Sequence, residues 1–176
     1  MLFRSNTSNR GVVAVENLLF QEATYTLTSQ TAAQKLFNAS TNGTLTLPVG
    51  TYEFECLASL SSLSATLGNF GFAFGGTATF TQYWQAIASK PVSLATGGVP
   101  NETYNTAANT ALATASTGTV GQMWLKGTII ITVAGTIIPQ ASLTVATAAV
   151  VGVGSYFKIK KMSATTASNF TVGNWS

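Results

Sequence analysis

Thr51-Tyr-Glu-Phe-Glu-Cys-Leu-Ala-Ser-Leu60 alternates apolar and polar side chains over its first six positions. In an extended chain Tyr52, Phe54, Cys56 and Ala58 fall on one face, and Glu53 and Glu55 on the other. That two-residue period describes a strand with one face in a core. Burying two carboxylates without cations costs far more than leaving them wet, whereas the aromatic face gains by leaving water. The glutamates are therefore expected to face solvent or a partner. Cys56 reads as a small buried hydrophobe. A nucleophilic thiol would call for a histidine, and the chain has none.

Outward from this strand the same period recurs. Ala23-Thr-Tyr-Thr-Leu-Thr28 and Thr44-Leu-Thr-Leu47 alternate, with a turn at Asn38–Thr44 and a corner at Pro48-Val-Gly50. Asn69-Phe-Gly-Phe-Ala-Phe-Gly-Gly76 puts Phe70, Phe72 and Phe74 on one face and small residues on the other, where a second backbone can approach closely. Thr77 to Trp84 continues as strand, and 85–98 reads as a loop around Lys90-Pro91. Ala107–Ala115 is a candidate helical turn, weakened by its Thr and Asn. The Ile- and Val-rich run from Gly127 breaks at Ala134-Gly-Thr136 and extends again through Leu143. In Gly154-Ser-Tyr-Phe-Lys-Ile-Lys-Lys-Met162, Tyr156, Lys158 and Lys160 share one face. Roughly eight to ten strands without βαβ alternation imply an all-β fold. The expected form is an antiparallel jelly-roll β-sandwich over residues 23–176, preceded by an extended N-terminal arm, residues 1–22.

Composition narrows the functions. The chain has 176 residues, of which 7% are charged, against roughly 25% in an ordinary soluble domain. About a quarter is Ser or Thr, and there is no Asp and no His. The commonest general base and the usual metal ligands are thus missing, so neither an enzyme nor a cofactor or metal site is expected. Eight Lys and Arg, of which only Lys158, Lys160 and Lys161 cluster, offer too little charge for nucleic acid. The uncharged stretches carry Gly, Pro and Thr and read as strands, so no membrane insertion is expected. The N-terminal residues lack the apolar run of a signal peptide. Glu53 and Glu55 are the one close pair of acids, and same-strand neighbours of this kind usually form a solvated face. In the arm, Arg4 and Arg10 are candidates for docking on a neighbour. Tyr83, Trp84 and Trp124 are candidates for stacking on sugar rings, with core or subunit contacts as the alternative. Long uncharged stretches and small-residue faces also point to self-association.

Several strings resemble the small structural and fibre-head proteins of tailed bacteriophages. They are Gln34-Lys-Leu-Phe-Asn38, Leu47-Pro-Val-Gly-Thr-Tyr-Glu-Phe-Glu-Cys56, Leu60-Ser-Ser-Leu-Ser-Ala65, Gly154-Ser-Tyr-Phe-Lys158 and Val172-Gly-Asn-Trp-Ser176. The resemblance covers about residues 11–176. It implies a homotrimeric jelly roll of the tumour-necrosis-factor-like kind on the virion exterior. Its partners would be further copies of itself and the major capsid or tail proteins. The implied role is capsid decoration. The alternative is a tail-fibre tip or receptor-binding protein that recognises host surface glycans. Fibre-tip relatives commonly carry a long shaft, and only about 22 residues precede the domain here, which favours direct docking.

Overall fold

The computed structural model describes residues 16–93, 95, 97–105 and 110–164. Among these the chain is all-β and antiparallel. The strands are β1 (Glu16–Phe20), β2 (Tyr25–Thr26), β3 (Gln34–Lys35), β4 (Leu45–Leu47), β5 (Gly50–Ser61), β6 (Phe70–Gly76) and β7 (Thr79–Ser89). They continue with β8 (Asn101–Asn105), β9 (Thr110–Ala111), β10 (Gly121–Val133), β11 (Gly135–Leu143), β12 (Val150–Val151) and β13 (Tyr156–Ser163). The larger sheet has eight strands in the order β1-β13-β5-β10-β7-β8, with β12 and β2 continuing beside β5. The smaller has five, ordered β3-β11-β6-β9, with β4 also paired to β11.

The two sheets pack face to face through phenylalanines. The ring of Phe74 on β6 lies edge-on to Phe54 of β5 at 5.0 Å and to Phe157 of β13 at 5.8 Å. Phe72 meets Trp84 of β7 edge-on at 6.0 Å. Edge-to-face pairs add about 0.5–1.5 kcal/mol each beyond the area they bury. Gly127 of β10 stands opposite Trp84 and faces the core. A Cβ there would collide with the Tyr83 carbonyl and with the Cα and Cβ of Trp84, so the missing side chain lets β7 lie this close.

The chain crosses between sheets twice at one corner, from β6 to β7 and from β10 to β11. Thr136 O accepts from the backbone N–H groups of Thr77 (2.9 Å) and Ala78 (3.0 Å). Thr136 N–H donates to Thr77 Oγ1 at 3.0 Å. Gly76 turns this corner at φ +115°, where a side chain would strike the Thr136 carbonyl.

Three sequence expectations change. The sheet begins inside the expected arm: Glu16 to Phe20 pair with Lys160 to Tyr156, and Leu19 points into the core. Residues 16–22 therefore belong to the sandwich, while Arg4 and Arg10 lie outside the described residues. Gln85–Ser89 is strand and not loop, because Ala86 and Ala88 continue the inward face of Trp84. Thr110–Ala111 is a two-residue strand on β6, not part of a helical turn, and 107–109 fall outside the described residues. The strands number thirteen among the described residues because several are pairs of only two residues.

β5 is paired along both edges. One edge holds β10 from Gly50 to Leu60. The other holds β13 at residues 51–57 and β12 at Leu60 and Ser61. Between β12 and β13 the backbone swings away, and the buried Ser155 hydroxyl fills the gap. Its Oγ accepts from Ser59 N–H at 3.2 Å and donates to Gly152 O at 2.8 Å. Ser155→Ala leaves that N–H without its acceptor and should lower unfolding stability by about 1–3 kcal/mol in denaturant titrations. Phe54→Ala opens a cavity between the sheets and should cost about 3–5 kcal/mol by the same measurement.

Candidate functional site

The outer face of the eight-stranded sheet carries the most organised surface chemistry. Pairing sets its side chains in rows across the strands. One row runs Leu18, Lys158, Glu55, Lys126, Gln85, Tyr104 through β1, β13, β5, β10, β7 and β8. The next runs Phe20, Tyr156, Leu57, Trp124, Ile87, Glu102. A third holds Glu16, Lys160, Glu53, Thr128 and Tyr83.

Glu55 is the hub of this face. Its Oε1 accepts from Tyr156 Oη at 2.6 Å and from Trp124 Nε1 at 3.1 Å. Its Oε2 lies 3.0 Å from Lys158 Nζ. The donors come from β13 and β10, the strands on either side. Hydrogen bonds from Tyr156, Lys158 and Trp124, with the Lys158 charge, lower the Glu55 carboxyl to about 2, against a smaller opposing effect of burial. The same contact raises the Tyr156 hydroxyl, and its hydrogen bond and charge raise the Lys158 ammonium. Glu53 makes a looser pair with Lys160 at 3.9 Å, both side chains near half exposed. The cations that the glutamates required thus come from β13 of the same chain. A carboxylate held this low stays ionised near neutral pH. Its three donors make it a fixed acceptor on this face.

The expected sugar-stacking residues separate. Tyr83 is exposed and Trp124 is part exposed on the outer face, two rows apart, about 13 Å along the strands. Trp84 is fully buried and packed on Phe72, so it is withdrawn from any surface site. The reason was legible in the chain: adjacent strand residues point to opposite faces, so Tyr83 and Trp84 cannot share a surface. Sequence reasoning missed Tyr104, Ile87, Leu57 and Phe20, all exposed on this face. Only cross-strand register brings them together. At the β8 margin Glu102 Oε1 accepts from Tyr104 Oη at 2.8 Å and from the Gln85 amide, and this raises the Tyr104 hydroxyl.

Two further groups lie away from this face. Lys90 is buried, and its Nζ donates to Ser116 O at 2.5 Å and Ser64 O at 3.3 Å; burial lowers its pKa. Cys56 is fully buried on the inner face of β5, as its alternation predicted, and burial pushes its thiol well up. Among the described residues no cluster of three potential metal ligands occurs.

No family model, curated protein or solved structure matches the chain.

The Glu55 hub has a pH signature. Its folded pKa lies below the ordinary 4.5, so the stability it contributes is complete above that value and is lost as pH falls toward about 2. Solvent screening at this partly exposed site limits the contribution to about 1 kcal/mol. Thermal melts of the wild type should fall across that window. Glu55→Gln should be less stable at neutral pH and show a flatter acid limb.

Proposed function

We propose that this chain is a non-enzymatic structural protein of a tailed-bacteriophage particle, a homotrimeric jelly roll that decorates the exterior. What supports the reading is the ordered set of resembling strings, joined to one structural observation. The row Phe20, Tyr156, Leu57, Trp124, Ile87 places apolar and aromatic side chains on the surface of five neighbouring strands. Contiguous apolar patches of several hundred Å² mark interaction sites on soluble proteins. The non-enzymatic part rests on the composition, which lacks histidine and aspartate.

A second reading, recognition of host surface glycans, draws on Trp124, Tyr83 and Tyr104, which expose aromatic faces beside the Glu102 and Gln85 polar groups. Aromatic platforms with a few hydrogen-bonding groups suit sugars without needing charge. The two readings differ in where the protein sits. Gold-labelled antibody against the chain should cover the heads of purified particles if it decorates the capsid. Label confined to tail tips would favour the glycan reading, and unlabelled particles would refute the virion assignment.

A further inference from the structure

We propose that Asn42 is a site of self-modification: the backbone nitrogen of Gly43 attacks its side-chain amide, ammonia leaves, and the chain gains a carboxylate at position 42 at a rate governed by Ser40 and Lys35. The proposal goes beyond the virion reading and does not depend on it.

Asn42 is the one asparagine in the chain that precedes a glycine. The reaction needs a backbone nitrogen that can reach the amide carbon of the preceding side chain. Any residue other than glycine carries a Cβ beside the attacking atom and crowds that approach. Asn42 is exposed in the loop between β3 and β4, and Gly43 turns this loop at φ +60°. A Cβ at Gly43 would strike Phe37 O at 2.7 Å. The turn thus requires the very residue that leaves Asn42 reactive.

Water is the only co-reactant. A bond forms between Gly43 N and Asn42 Cγ, the amide proton passes to solvent, and the bond from Cγ to the side-chain nitrogen breaks to release ammonia. Water then opens the cyclic succinimide at either carbonyl. One opening gives an aspartate, the other an isoaspartate with a longer main chain.

The same loop restrains the step. Gly43 N–H donates to Ser40 O at 3.2 Å and to Ser40 Oγ at 3.0 Å. A nitrogen that shares its proton with two acceptors is poorly placed to lose it and attack. Lys35 holds the loop in turn: its Nζ donates to Asn38 Oδ1 and to Thr41 O, both at 2.7 Å. Thr41 O belongs to the peptide that leads into Asn42. Both restraints are a few hydrogen bonds in one loop, so it opens more readily than the sandwich as a whole.

The product changes a surface. Asn42 lines a shallow concavity with Lys35, Thr44, Thr77, Thr136 and Gln140, and among the described residues no carboxylate lines it. The sequence contains no aspartate, and the new carboxylate lowers its formal net charge of +3 by one. It also competes with Asn38 and Thr41 for the Lys35 ammonium, because an ionised acceptor holds a cation more strongly than neutral ones.

The test is incubation of the full folded chain in mildly alkaline buffer over weeks, followed by mass spectrometry of its tryptic peptides. Ion exchange reads the added charge, and labelling by an isoaspartyl methyltransferase reads the longer product. The expected result is conversion at position 42 in the folded wild type, slower than in the guanidinium-denatured chain and absent in Asn42→Gln. Ser40→Ala deletes one acceptor, and Lys35→Met keeps the stem but deletes the ammonium; each should convert about threefold faster. Ser155→Ala weakens a distant part of the fold and should convert at the wild-type rate, which separates loop opening from global unfolding. Circular dichroism checks that each variant is folded, and the comparison of folded with denatured wild type stands without them. A folded wild type still intact at position 42 when the denatured chain is fully converted would overturn the site. Equal rates in wild type, Ser40→Ala and Lys35→Met would overturn the restraint, and so would a Ser155→Ala rate raised as far as theirs.

Discussion

The molecule depends on one constraint: β5 must keep its aromatic side inward while being paired along both edges. A shift of one residue would exchange Tyr52, Phe54 and Cys56 for Glu53 and Glu55. The core would then receive two carboxylates, and the phenylalanines of β6 would lose their partners. Register is held from both faces at once. Inside, Phe54 meets Phe74 and Phe157. Outside, Glu55 meets Lys158 and Glu53 meets Lys160, in the same pairing of β5 with β13.

The worth of the Glu55 cluster is more orientational than energetic. Exposed ion pairs contribute little on their own. A carboxylate that receives an indole N–H, a phenol and an ammonium from the two adjacent strands fixes where those rings stand. Trp124 and Tyr156 belong to the apolar row, so the polar hub and the exposed apolar surface form one construction.

Scarcity of charge shapes the rest. More than half of the chain's thirteen charged residues lie on this single face, where both signs balance. Elsewhere much of the polar work is done by hydroxyls, carbonyls and side-chain amides. The corner between the sheets is tied by Thr77 and Thr136, the gap beside β5 is closed by Ser155, and the buried Lys90 ammonium rests on two carbonyls without a carboxylate. Such a chain holds its shape with neutral hydrogen bonds, which lose little in high salt.

Local period was enough to determine what happens within a strand. The alternation in 51–60 assigned inward and outward residues correctly, and Phe70, Phe72 and Phe74 share one face of β6 as the period predicted, but only the structure shows that the second sheet packs on that face and not on the small-residue one. Tyr156, Lys158 and Lys160 do share one face of β13, and the structure shows it to be the outer one. The two-residue period also held the correction for Trp84, which its neighbour Tyr83 excludes from the surface. What happens between strands was not legible. That Glu55 meets a tyrosine 101 residues away, and that Phe20, Leu57, Trp124 and Ile87 form one row, follows from pairing partners and register. Those are set by the sum of many weak cross-strand contacts and by where the chain changes sheets. The strand character of Glu16–Phe20 stayed hidden for the same reason: an edge strand owes its structure to the partner it joins, here β13, and little to its own five residues.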